Sequence, residues 1–324
     1  MQRRRALLCT LGLWGAWLPL QAQPGWPRKA IRIVVPFGPG GIADLTARAV
    51  GQKLAQQFGQ AVIVENKPGA GGVAAGELVA QAEPDGHTLL LMSNGTAVSA
   101  GLFRKLPFDP VKDFAPVSLL GQFDLAIVVP GNAPWQTLGE FVAAAKASPG
   151  KLNIATVNVG STQNLAAELF KTTAGVELQV VPFNGTPAVI TALRAGQVDA
   201  AVEILGPIKP QITAKAVRAL AVMGDKRPAG LPDVPTAAET GGALAGFNVA
   251  SWNAIAAPAG TPQDVVLKLN RELQAALGSA ELRGKLSELN VEARGSTPEQ
   301  LAGLLAGEIR RWSDVIARAK IPRQ

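Results

Sequence analysis

Gly38, Gly40 and Gly41 stand between an apolar run at 31–36 and a helical pattern in which Ile42, Leu45, Ala49 and Leu54 recur. The first turn of a helix has unpaired backbone N–H groups and the positive end of the macrodipole. Glycines bring no side chain to keep a ligand away, so the turn forms an anion seat. A second reading is open. Gly38-Pro39-Gly40-Gly41-Ile42-Ala43 fits G-x-G-x-x-[GA] between a strand and a helix. Glu65 ends the next expected strand, where an acid would hold a ribose hydroxyl. That is the alternative of a NAD-dependent oxidoreductase using residues 38–43. Pro39 counts against it, since it stiffens a turn that must wrap a pyrophosphate. The third reading is a tight turn and nothing more. Asp44 lies in the first helical turn with Arg48 four residues on, an i,i+4 ion pair on the favourable end of the dipole. Asp44 could also accept hydrogen bonds from the loop amides.

Similar starts occur elsewhere. Gly160-Ser161-Thr162 precedes a helical pattern, and Asn184-Gly185-Thr186-Pro187 repeats the arrangement. Their hydroxyls serve as N-caps, as ligand contacts, or as both. Ser93-Asn94-Gly95-Thr96 is polar and follows an apolar strand, as a pocket rim would. Three or four helix N-termini around one cleft would bind a carboxylate without any arginine. Catalytic machinery is missing by comparison. His87 is the only histidine and falls in the turn Pro84-Asp85-Gly86-His87-Thr88, which reads as surface. There is no G-x-S-x-G elbow and no metal-ligand spacing. No catalytic residue, metal or cofactor is expected.

The elements that must position these loops alternate. Strands are expected at 31–36, 61–65 and 88–92, with helices from 41 and through about 81. An irregular stretch, 106–114, leads to two apolar runs, 117–120 and 125–129. A second series follows: helix 138–147, strand 152–156, helix 162–173, strand 178–181, helix 187–195, strand 198–202 and strand 218–222. A long loop at 227–241 returns to a strand at 247–252. Two C-terminal helices are announced by Thr261-Pro262 and Thr297-Pro298, with Gln300 completing a capping box on Thr297. Leu301, Leu304, Leu305, Ile309, Trp312 and Ile316 make one apolar stripe, read as core packing. The rhythm is α/β, in two βαβ series. Chain crossings are expected near 123–129 and 249–257, which would make a two-lobed clamp.

The 324 residues include 48% hydrophobic and 17% charged, the composition of a folded protein with a real core. The N-terminus has a basic cluster, Arg3–Arg5, an apolar run to about Leu18, Pro19, and small Ala22. This reads as a secretory signal peptide cut near Ala22, its apolar run too short to span a bilayer. Removing those three arginines takes the net charge from +7 to +4. The remaining Lys and Arg are scattered, which argues against nucleic acid. The single cysteine, Cys9, lies inside the leader, so the exported chain is expected to have neither thiol nor disulfide.

Taken together, these motifs resemble the Bug family, the periplasmic solute receptors of tripartite tricarboxylate transporters. VVPFGPGGIADLTAR (34–48), VIVENKPGAGG (62–72) and EPDGHTLLL (83–91) look like its first signatures. LPFDPVKDFAPVSLLG, GSTQNLAAELF, VPFNGTPAVITALRAGQVD, LPDVPTAAETG, SWNAIAAPAGTP and GSTPEQL follow in the family's order. The resemblance implies a two-lobed type II periplasmic-binding fold with a ligand cleft between lobes joined by two crossing strands. It implies a signal peptide (1–22), a first lobe from 23–124 and 253–324, and a second from 125–252. It also implies a non-catalytic receptor for a small carboxylate: a di- or tricarboxylate, acidic amino acid or aromatic acid. Such a receptor is periplasmic and monomeric, and delivers its ligand to membrane subunits, serves a sensor, or is an orphan. Phe37, Gly38, Gly40, Gly41 and Ile42 map to one carboxylate loop and Gly160, Ser161 and Thr162 to the other, with Asp44, Ser93 and Thr96 around them. Asn184, Gly185, Thr186 and Glu203 would face the ligand's far end. Departures are Asn164 where many members have His, His87 where they have Tyr, and Phe183-Asn184-Gly185 where they have Tyr-Lys-Gly. The chain has no tyrosine. A carboxylate at Glu203 beside an anion seat would suit a ligand ammonium; the alternative is a solvated or capping glutamate outside the pocket.

Overall fold

The computed structural model describes residues 25–228, 230–318 and 320–324. The expected leader lies outside the described residues. The first half is built from β1 (Ile31–Val35), α1 (Ile42–Phe58), β2 (Val62–Asn66), α2 (Val73–Ala80), β3 (Thr88–Ser93) and α3 (Asn94–Leu102). Strand β1 reads IRIVV, and four of its five residues are buried, as a parallel strand covered on both faces requires. It pairs in parallel with β2 and β3. Gly59, left-handed at φ 64°, ends α1.

β4 (Phe114–Pro130) then runs for 17 residues. The two apolar runs expected at 117–120 and 125–129 are parts of this one strand. Gly121-Gln122-Phe123-Asp124 between them did not break it, because the strand changes partners there. Residues Phe114 to Asp124 pair with β9, and Leu125 to Pro130 pair with β7 and β8. The second half contains α4 (Leu138–Ala147), β5 (Asn153–Val157), α5 (Thr162–Ala174), β6 (Gln179–Phe183), α6 (Thr186–Arg194), β7 (Ala200–Ile204), α7 (Leu205–Thr213) and β8 (Val217–Val222). Strands β5, β6 and β7 are parallel. Helix α7 was not expected, because Pro207 and Pro210 lie inside it.

The chain returns through β9 (Ala250–Pro258), which begins three residues later and runs longer than the expected strand at 247–252. It continues as α8 (Gln263–Gly278), α9 (Ala280–Glu288), β10 (Val291–Ala293) and α10 (Pro298–Arg318). The whole sheet runs β2-β1-β3-β9-β4-β7-β5-β6, with β8 and β10 also on β4. It forms two α/β lobes sharing β4. The Thr297–Gln300 box forms in both directions, at 3.0 and 3.2 Å. Thr261 makes no cap: Pro262 occupies that position, and the Thr261 hydroxyl donates to Pro258 O. On α10, Leu301, Leu305, Trp312 and Ile316 are buried, and Leu304 and Ile309 pack partly buried against the core. No helix among the described residues is long and apolar enough to cross a membrane.

His87 corrects the surface reading. It is buried, its Nε2 accepts from the Arg28 N–H at 3.1 Å, and its ring lies against Trp26. The turn carries it inward because Asp85 Oδ1 accepts the His87 backbone N–H.

Candidate functional site

Two cavities lie where the lobes meet. The first is lined by Phe37, Gly38, Gly41, Ile42, Ser93, Thr162, Gly185 and Thr186 among the expected residues. The second shares Phe37 and Ser93 and adds Thr96, Gly160 and Ser161. Neither lining contains a charged side chain. Five helices start on these walls. Their N-cap residues are Gly41 (α1), Ser93 (α3), Ser161 (α5), Gly185 (α6) and Ile204 (α7), and each lines one of the cavities. The positive ends of five helix dipoles therefore point at space without Lys or Arg.

The five remaining expected residues line neither cavity. Gly40 and Asp44 sit behind the seat, and Asp44 Oδ2 accepts the Gly40 N–H at 2.9 Å. Burial opposes the Asp44 charge, but hydrogen bonds from Arg48, Gly40 and Asn66 outweigh it and hold the carboxyl below its ordinary range. Its ion pair with Arg48, at 2.8 Å, forms as the spacing implied. Asn164 is buried behind the second loop, accepting from Gly160 N and donating to Thr156 Oγ1. The Asn184 side chain is exposed, but its carbonyl abuts Gly38 across the cleft.

Glu203 is neither solvated nor on the lining. It is 1% exposed and lies behind the wall formed by Thr186 and Ile204. Its Oε2 accepts from Thr186 Oγ1 at 3.2 Å and from Ile204 N at 3.1 Å. Oε1 has no partner among the described residues. Burial raises the Glu203 pKa to about 7, against the pull of those bonds.

The lobes touch across the site. Gly71 N–H donates to Val159 O at 2.8 Å, and the Thr162 hydroxyl lies 3.1 Å from that of Ser251 on the crossing strand β9. A Cβ on Gly38 would lie 2.8 Å from the Asn184 carbonyl oxygen, so only glycine permits this approach. The reading of the sequence missed Phe123, Gln163, Ser251 and Asn253 in the first cavity and Asn158 in the second. All but Gln163 lie on strands or on a strand end, where polar residues carried no motif. The signal for Ser251 and Asn253 was a pair of polar residues alternating with Trp252 in an apolar run.

The tripartite tricarboxylate transporter receptor family model matches residues 46–321. The chain belongs to this family. Protein BugT of Bordetella pertussis is 33% identical over 96% of each chain. The Rhodopseudomonas palustris protein Rpa4515, solved with adipate, superposes with a TM-score of 0.88 at 33% identity, covering 92% of this chain and 99% of that one. MatC from Rhodopseudomonas palustris, solved with bound malate, superposes with a TM-score of 0.85 at 36% identity, covering 90% of this chain and 100% of that one. The two-lobed α/β expectation is borne out.

Proposed function

We propose that this chain is a non-catalytic periplasmic receptor that closes its two lobes on a small carboxylate and presents it to membrane transport subunits. One observation carries the reading: five helix N-termini converge on charge-free cavities between touching lobes. Such a site neutralises an anion with backbone dipoles and amides. Contacts made from both lobes stabilise the closed state over the open one, the differential affinity that closure requires. The adipate and malate held by the two Rhodopseudomonas relatives support a carboxylate ligand. The glycine turn is better explained as part of this seat than as a dinucleotide site, because Pro39 stiffens a turn that would have to wrap a pyrophosphate. The residues proposed to touch ligand are Phe37, Gly38, Gly41, Ile42, Ser93, Thr162, Gly185 and Thr186.

Thermal unfolding with di- and tricarboxylates, acidic amino acids, aromatic acids and NAD tests this. A ligand at about 100 times its Kd adds roughly 2.7 kcal/mol of stability. Stabilisation by a carboxylate and none by NAD is expected. A shift with NAD alone would overturn the reading.

A further inference from the structure

Thr186 joins Glu203 to the cleft. It lines the first cavity, and its hydroxyl faces the start of α1: a Cβ on Gly41 would lie 3.4 Å from Thr186 Oγ1. The same hydroxyl is 3.2 Å from Glu203 Oε2 on the other side. Glu203 is 1% exposed, its Oε2 also accepts the Ile204 N–H, and its Oε1 has no partner among the described residues. A buried charge is costly unless it is fully hydrogen-bonded, and here one oxygen is bare.

A hydroxyl has one proton to donate, and an ionised carboxylate has none. While Glu203 is ionised, Thr186 must give its only proton to Oε2, and it turns lone pairs toward the cleft. When Glu203 holds a proton, Oε2–H can donate to Thr186 Oγ1 instead. The threonine proton is then free to point into the cleft. A carboxylate guest needs donors, and a second negative charge behind the wall repels it. Both effects favour the guest when Glu203 is neutral. The elements packed against β7 carry Asp124 on β4, Glu168 and Lys171 on α5, Arg194 on α6 and Lys209 on α7. None of these charges acts on the Glu203 carboxyl, and Glu168 and Lys171 pair with each other at 2.9 Å. Asp44, behind the seat in the other lobe, is held ionised by its hydrogen bonds.

We propose that Thr186 couples carboxylate binding to protonation of Glu203: the guest accepts a hydrogen bond from the Thr186 hydroxyl as Glu203 takes a proton from solvent and donates it to Thr186 Oγ1. One proton enters with each carboxylate. Glu203 is a positioning residue that acts through Thr186, and the receptor holds its ligand more tightly in acid than in base. This rests on the carboxylate reading above and adds its regulation.

Calorimetric titration with succinate, glutamate and benzoate as probes, each in buffers of different ionisation enthalpy, counts the protons taken up. In the wild type, uptake should rise from near zero at about pH 6 toward one at about pH 8.5, and affinity should fall about tenfold over the upper half of that range. Glu203→Gln should bind throughout as the wild type does at the acid end, with no uptake. Thr186→Ser keeps the hydroxyl and should keep the wild-type uptake and slope. Thr186→Val removes the hydroxyl and should bind more weakly, with most of the uptake and slope gone. A merely structural role for Thr186 would lower affinity at every pH and leave the slope, so a slope that Thr186→Val keeps in full overturns the coupling. The two threonine variants serve if the glutamine variant does not fold. Affinity that is flat with pH in the wild type, without proton uptake, also overturns the coupling and leaves the carboxylate reading standing. Failure of all three probes to bind overturns both.

Discussion

Replacing Glu203 with glutamine should change how stability depends on pH. The carboxyl is sealed behind Thr186 and Ile204, with one oxygen unpartnered, and its pKa rises from 4.5 to about 7. Between those values the folded chain keeps a proton that the unfolded chain has released. The stability Glu203 supplies is thus fully present below about pH 4.5 and is lost as pH rises through about 7. At 1.36 kcal/mol per pH unit, the loss is roughly 3 kcal/mol. Glutamine is isosteric and carries no titrating proton, so Glu203→Gln removes this loss. Wild type and variant should match near pH 4.5, and the variant should be more stable by up to roughly 3 kcal/mol at pH 8. For a chain of this size that is about 5 °C in Tm. Urea denaturation of both proteins from pH 4.5 to 8 reads the difference directly, since every other titrating group cancels. A difference flat across this range would refute the buried, protonated assignment. A ligand carboxylate bound nearby should raise the Glu203 pKa further. Binding at pH 8 should then take up a proton in the wild type and not in Glu203→Gln, visible as buffer-dependent binding enthalpy.

Gly38→Ala places a methyl group 2.8 Å from the Asn184 carbonyl oxygen, across the contact between the lobes. It should weaken carboxylate binding about tenfold or more, with the radius of gyration in scattering staying open on adding ligand. Arg218 donates to the carbonyls of Gly131, Ala133 and Trp135. Arg218→Ala should cost roughly 2–3 kcal/mol in denaturant unfolding. Trp312 is fully buried and its indole donates to Asn94 Oδ1 at 2.9 Å, joining α10 to α3. Trp312→Ala should cost about 3–5 kcal/mol. Asp44 is held ionised, so its contribution is present above the ordinary carboxylate pKa and fades as pH falls. Asp44→Asn should therefore narrow the loss of stability in acid while leaving the Gly40 bond an acceptor.

Most of the fold was legible because local signals agreed with tertiary demands. The α4 boundaries, the Thr297–Gln300 box and the parallel strands all carry strong periodicity or capping chemistry. What was not legible depended on partners distant in sequence. Nothing local shows that β4 continues through Gly121 to Asp124, since its continuity comes from pairing β9 on one stretch and β7 and β8 on the next. Helix α7 hides behind two prolines, Pro207 in its first turn and Pro210 in its interior. Site loops at helix starts could be read, because glycine and hydroxyl residues there have few other uses. Asn158 and Asn253 could not, because a lone asparagine acquires meaning only when burial leaves it unpartnered. Glu203 was found by its neighbourhood, but its burial and protonation follow from packing behind Thr186.

The most direct test of the receptor assignment is small-angle scattering of the protein with and without a stabilising carboxylate, alongside calorimetric titration of the same sample. One carboxylate should bind per chain with a measurable fall in radius of gyration. Saturable binding with no change in dimensions, or closure driven by NAD and by no carboxylate, would contradict a clamp built on helix N-termini.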